Sequence, residues 1–375
     1  MLGVIVYAVA LRLFAPDFYY GSVQEDEYLE WGTFWLFNLA AGGFVWVAFQ
    51  RRGEPVWPWF PLGVAAFCFV VAMEEISWGQ RLFGIRPPDY FLAHNFQQEL
   101  NVHNFVSTPM RKLLTQLLIA GYGITLPLLT LQGRAREWLA QLGVLAPSLG
   151  LAPGFAITSL FYFWYPLSYT GEWVEFMLAL GFVLAAVLHC AERSALLRRT
   201  WRPLPAGVVA LVAVWMLGTG LGVTHAGLYR LQRSAHPAIL AAAELEIESL
   251  RADFAGSEDE YVCDFHRRLY RFVDRKGGDF LRVGAFTGLG AQGLPEERAT
   301  FFLDPWNQPY WIRDDCGDET GERRVFVYSF GPNRRRDSSR WQLRGDDVGR
   351  IFTLPPGVES PNQKRADGRF PPARL

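Results

Sequence analysis

Apolar positions in the first 224 residues come in long unbroken runs. They are Met1–Pro16, Trp31–Gln50, Trp57–Trp78, Leu113–Leu131, Val144–Ser168, Trp173–Cys190 and Ala206–Thr224. A membrane-crossing helix needs roughly 20 apolar residues, so the pattern predicts an all-α, multi-pass membrane bundle of about seven spans. After Thr224 the pattern changes. Pro237 to Phe254 reads as an amphipathic helix, Val325 to Phe330 as the clearest strand, and the Pro-, Gly- and Arg-rich stretch from Leu354 as a disordered tail. The expected organisation is a polytopic membrane domain over 1–226, an extracytoplasmic stalk helix with a small α+β domain over 227–352, and a tail over 353–375.

Composition supports two dissimilar halves. The 375 residues are 50% hydrophobic with 29 Phe and 14 Trp, yet their mean hydropathy is close to zero because the second half is polar. The net charge of −1 argues neither for nor against a partner, and nothing resembles a nucleic-acid-binding stripe, so no nucleic-acid partner is expected. Arginine placement orients the spans. Arg51–Arg52, Arg134 with Arg136, and Arg193 with Arg198, Arg199 and Arg202 fall on alternate loops. Those loops are assigned to the cytoplasm, with the N-terminus inside and everything after Thr224 outside a bacterial cytoplasmic membrane. Arg81, Arg86, Arg111 and Lys112 are exceptions on an outer loop.

This topology brings many carboxylates to one outer face. Glu27 and Glu30 open the second span, Glu74 and Glu75 close the third, Glu99 and His103 precede the fourth, and Glu172 and Glu175 open the sixth. Acidic residues at helix N-termini are favoured by the helix dipole, which accounts for Glu27, Glu30, Glu172 and Glu175. The dipole opposes Glu74 and Glu75 at a helix C-terminus, and ionisable groups at a membrane boundary are costly, so that pair calls for a compensating cation, metal or proton. Carboxylate and imidazole ligands suit Zn, Fe or Mn. The candidate catalytic set is Glu74, Glu75, Glu99 and His103. The wider metal set adds Glu27, Glu30, Glu172 and Glu175. A divalent ion there would activate water against a lipid-borne ester, amide or phosphate. Two Glu-x-x-His repeats, which a di-iron bundle needs, are lacking, and Ser77 and Ser107 have no glycine-framed elbow. Cys68 and Cys190 lie in apolar runs as packing residues, whereas Cys263 and Cys316 both fall outside, where a disulfide persists, and are expected to pair.

Three motifs in the second half carry a resemblance. Asp304-Pro305-Trp306-Asn307-Gln308-Pro309-Tyr310, Val327-Tyr328-Ser329-Phe330-Gly331-Pro332-Asn333 and Gly345-Asp346-Asp347-Val348-Gly349-Arg350-Ile351 follow in the order and rough spacing of the C-terminal domain of the major pseudopilin of type II secretion systems. The similarity covers about 237–352. It implies a pseudopilin-like fold, a calcium site formed by Asp337, Asp346 and Asp347 with Asn333, and a pilus-like or secretion-machinery partner. Pseudopilins have one span with a Glu near its start. Here several runs come first and Ala206–Thr224 holds no Glu, so the resemblance implies a borrowed docking or sensing module. The segment Glu74-Glu75-Ile76-Ser77-Trp78-Gly79-Gln80 is similar to a motif of uncharacterised bacterial multi-pass membrane proteins, which implies no activity.

Two functions are therefore expected from the sequence. One is a metal-dependent hydrolase of a lipid or lipid-linked substrate at the outer membrane face. The other is a non-enzymatic envelope-assembly or secretion-associated subunit that docks through its outer domain. A transporter using the carboxylates as proton or cation sites is a third.

Overall fold

The computed structural model describes residues 1–24, 27–51, 54–95, 97–197, 236–256, 265–269, 294–314, 323–334, 336–338 and 341–354. The expected span Ala206–Thr224, the Cys263–Cys316 pair and the tail beyond 354 lie outside the described residues, and 353–354, expected to open that tail, end a strand instead. The chain divides into two compact units, one of residues 1–78 with 101–223, the other of residues 79–100 with 224–375.

The first unit is helical. Its elements are α1 (Leu2–Phe14), α2 (Pro16–Ser22), α3 (Tyr28–Gln50) and α4 (Trp59–Glu75). In the second unit, α5 (Gln80–Phe83) and α6 (Asp89–His94) follow. The first unit then continues with α7 (Thr108–Leu129), α8 (Gly133–Gln141), α9 (Ala152–Trp164) and α10 (Thr170–Leu197). Among the described residues, three helices are long and apolar enough to cross a membrane: Tyr28–Gln50, Thr108–Leu129 and Thr170–Ala191. Leu2–Phe14 and Leu149–Trp164 are apolar but shorter. Pro16 ends the first of these runs. In the Val144–Ser168 run, Pro147 lies in the non-helical lead-in and Tyr165, in the left-handed conformation, ends the helix just before Pro166. At 1.5 Å per residue the 13-residue α1 reaches only about 20 Å of the roughly 30 Å hydrocarbon core.

The central helix is α3, packed along both α4 and α10. Small residues permit the approach. Ala40 and Ala41 on α3 and Ala179, Ala185 and Ala186 on α10 are buried in the same core, and a Cβ at Gly43 would lie 2.8 Å from Cβ of Ala186. Phe37, Phe44, Phe155, Trp173 and Phe182 fill the core, while Leu117, Phe163, Trp164 and Val187 stay exposed. Many large apolar side chains exposed on helices of span length are tolerated against lipid rather than water. α7 contains a π-helical segment, Ile119–Thr125, in which Tyr122 stacks on Phe182 at 4.6 Å. Cys68 is buried and Cys190 partly so, neither in a disulfide.

In the second unit, helix α11 (Pro237–Gly256) packs on a four-stranded antiparallel sheet. The strands are β1 (Phe265–Arg268), β2 (Trp311–Asp314), β3 (Arg323–Ser329) and β4 (Val348–Leu354), in sequence order across the sheet, with the short α12 (Glu296–Ala299) before β2. Alternation along β3 sorts its faces. Val325 and Val327 join Ile247, Leu250 and Tyr310 in the core, and Phe326 and Tyr328 stack on the other face with Phe330. Leu92 of α6 packs with Phe301 and Leu303, so the 79–100 segment contributes to this unit's core. The Asp-Pro-Trp turn is built on buried Asp304, which accepts hydrogen bonds from Trp306 N at 2.9 Å, Gln308 N at 2.8 Å and the Ser329 hydroxyl. Burial pushes its carboxyl up to about 7 against those donors.

Candidate functional site

Two groups of acidic residues emerge, one in each unit. In the first unit the group forms where α4 ends. Ser77 (φ 46°), Trp78 (φ 54°) and Gly79 (φ 75°) all adopt the left-handed conformation, which costs about 1 kcal/mol or more for each non-glycine residue. Side chains hold that turn. The Glu74 carboxylate, 9% exposed, accepts from Trp78 Nε1 at 2.8 Å, Val102 N at 2.6 Å and His103 N at 2.9 Å, with His103 Nδ1 at 3.3 Å. Ser77 Oγ accepts from Asn101 Nδ2 at 3.0 Å. Glu74 thus ties the end of α4 to the 101–105 turn.

Glu75 is one residue on, about 100° around the helix, and faces another set of partners. It lies within electrostatic reach of Glu175 and Glu172 from the start of α10, and of Arg111 in α7. Glu175 in turn lies within reach of His103 and Arg111. Lys112 Nζ sits 4.1 Å above the Tyr165 ring nearby in sequence. The structure therefore brings together Glu74, Glu75, His103, Glu172 and Glu175 from the expected set. Glu30 sits in the first turn of α3 and Glu27 occupies its N-cap position without a side-chain cap bond. Glu99 belongs to the second unit, where it is buried and pairs with Arg268 at 3.1 Å. Arg111 was not among the expected site residues. Its signal was present in the sequence as a cation that broke the arginine rule.

In the second unit, oxygens of Asp337, Asp346 and Asp347 lie within 4.8 Å of one another in the loop joining β3 to β4. Among the described residues this is the one group of three or more Asp, Glu, His or Cys side chains close enough to share an ion. Asn333 Nδ2 donates to Asp337 Oδ2. Backbone amides support the cluster, with Ser338 N donating to Asp347 Oδ2 at 2.7 Å and Asp346 N to Asp337 Oδ2 at 3.4 Å. The loop has no room for a side chain at Gly345 (φ 62°), where a Cβ would fall 2.1 Å from Asp337 Oδ2. Burial, with repulsion from Asp337, pushes the Asp347 carboxyl up to about 7. Such an all-oxygen, carboxylate-rich set fits a hard cation such as calcium better than a soft transition metal. A cleft of about 580 Å³ adjoins it, with Asp346, Asp347 and Leu343 on one side and Leu240, Glu244 and Ile247 of α11 on the other.

No family model, curated protein or solved structure matches this chain.

Proposed function

We propose that this is an envelope protein of a bacterial cytoplasmic membrane whose outer, pseudopilin-like α+β domain is a calcium-stabilised docking module for a pilus-like or secretion-machinery protein. The observation that carries this reading is the convergence of Asp337, Asp346 and Asp347 in the β3–β4 loop. Three carboxylates this close repel one another strongly unless a cation or proton intervenes. The helix-on-sheet architecture, the Asp304-centred turn and the adjoining cleft support the pseudopilin-like assignment. The membrane half is read as about seven spans with the N-terminus inside. Co-folding of 79–100 with the C-terminal residues supports placing both on the same, outer side.

The test uses the full-length, detergent-purified protein. Calcium titration is expected to show one saturable site and a raised melting temperature, both reversed by chelator and both lost in Asp346→Asn/Asp347→Asn. Partner capture from envelope extract is expected to depend on calcium. Identical melting with calcium and with chelator would sink the calcium module.

A second reading rests on the first unit. Glu75, Glu172 and Glu175 lie within electrostatic reach of one another or of His103 and Arg111 but not close enough to share an ion, which favours a proton-transfer site in hydrolysis of a lipid-borne substrate over the expected metal site. Hydrolysis of ester, amide and phosphate lipids by the parent beside Glu75→Gln/Glu175→Gln decides it. Turnover by the parent that is lost in the folded variant supports the enzyme, and no turnover by either protein removes it.

A further inference from the structure

We infer that the 79–100 segment anchors the second unit to the membrane surface, with Phe83, Ile85 and Tyr90 seated in the lipid headgroup layer. This anchor depends on the membrane reading of the first unit's helices, and neither on the calcium loop nor on a docking partner. The segment leaves the first unit at Trp78, three residues after α4 ends, and returns to it at Asn101. Both crossing points are held at one end of α4. Ser77 Oγ accepts from Asn101 Nδ2 at 3.0 Å, and Glu74 accepts from the Val102 and His103 amides at 2.6 and 2.9 Å. One step further along, Gln80 Oε1 accepts from Leu100 N at 2.6 Å. The segment is therefore a loop closed at its neck. That neck lies where an apolar helix exposing Phe67, Phe69 and Val70 gives way to Glu74 and Glu75. Such a change from apolar to charged side chains marks the edge of the hydrocarbon core.

Chain reach keeps the loop near that edge. Phe83 follows Trp78 by five residues, at most about 18 Å of extended chain, and the helical turn Gln80–Phe83 shortens it. The polar layer outside the hydrocarbon core is roughly 5–8 Å deep on each side. The loop exposes apolar side chains suited to that layer. Phe83 is 69% exposed, Ile85 40% and Tyr90 63%, all within eight residues. Among the described residues of the second unit, the other exposed large apolar side chains are scattered singly, Leu245 on α11, Leu343 in the β3–β4 loop and Ile351 on β4. Elsewhere the same segment is tied to its own unit, through Leu92 against Phe301 and Leu303 and through the Glu99–Arg268 pair. Leaving two aromatic rings in water beside a buried Leu92 forfeits hydrophobic stabilisation. At the membrane edge the balance reverses, because ring bodies meet acyl chains while a phenol hydroxyl stays in contact with water. Arg86, partly exposed and ion-paired with Asp89 at 2.8 Å, fits the polar headgroup level.

The test uses the full-length protein in nanodiscs of phosphatidylethanolamine and phosphatidylglycerol, with a photoreactive side chain introduced one site at a time. The variants are Phe83→benzoylphenylalanine, Tyr90→benzoylphenylalanine and, as the exposed control on α11, Leu245→benzoylphenylalanine. After irradiation, mass spectrometry of the intact protein counts lipid adducts. Adducts at 83 and 90 are expected at least tenfold above those at 245. Ile85→benzoylphenylalanine replaces either site whose variant does not fold. Lipid yields at 83 and 90 no higher than at 245 overturn the anchor. So do cross-links from those sites to this chain or to a second copy in place of lipid. The same variants irradiated in native membranes test a protein occupant, and adducts with another polypeptide instead of lipid likewise overturn it.

Discussion

Replacing Glu74 tests whether it is a structural tie or a reacting group. Its Oε2 takes the Val102 and His103 amides and its Oε1 takes the Trp78 indole. In Glu74→Gln one oxygen remains, and the best rotamer turns it to the two backbone amides. The new NH2 then opposes Trp78 Nε1, and the surviving bonds lose their charge assistance, at a cost of about 2 kcal/mol. Glu74→Ala strands all three donors and costs about 4 kcal/mol. At roughly 2–4 °C per kcal/mol for a unit of this size, the expected falls in melting temperature are about 6 °C and about 12 °C. Thermal unfolding in detergent, followed by circular dichroism of the helical signal, is the assay. An alanine variant melting within 2 °C of the parent, on the order of 1 kcal/mol or less, would refute the tie. Unchanged melting with lost metal or lost activity would move Glu74 among the reacting groups.

Three other perturbations are quantifiable. Gly123→Ala puts a Cβ 2.2 Å from Cγ of Phe155, which is 1% exposed and cannot retreat, so a loss of about 1–3 kcal/mol is expected in detergent unfolding. Glu246→Ala removes the partner of both Arg298 and the Tyr310 hydroxyl, a buried set, and should destabilise the second unit by about 3–5 kcal/mol in denaturant titration. Asp304 predicts a pH dependence. Its folded pKa of about 7 lies above the unfolded value of 3.8, so the folded state holds the extra proton between them. Its contribution is complete below pH 3.8 and falls as pH rises towards 7, by up to about 1.4 kcal/mol per pH unit. Asp304→Asn, which cannot ionise, should flatten the stability profile of the second unit over that window. An unchanged slope would show that Asp304 titrates elsewhere.

The run lengths made the membrane character legible, because span length acts residue by residue along the chain. Of the seven expected runs, three form helices of full span length among the described residues. The others are shortened by proline and by left-handed helix ends, or lie outside those residues. The change of character after Thr224 was likewise visible in composition. The gathering of Glu75, Glu172, Glu175 and His103 could be anticipated because every one of them sits at a helix end on the same predicted side. Helical phase separated Glu74 from Glu75: neighbours on a helix point about 100° apart, so one became a tie for the next turn and the other faced α10.

Only the tertiary structure decided the remainder. Glu99 looked equivalent to His103 four residues later, yet the chain turns between them and Glu99 is buried with Arg268, 169 residues away. The membership of 79–100 in the second unit depends on Leu92 meeting Phe301 and Leu303, a contact between distant segments that no local pattern encodes. Asp337 and Asp346–Asp347 are legible as acidic residues, but their convergence depends on the β3–β4 register and on the space that Gly345 leaves open. Residue type and spacing thus set which groups could act. Long-range packing set which of them meet, because burial satisfies each charge with whatever partner the fold brings within a few ångströms.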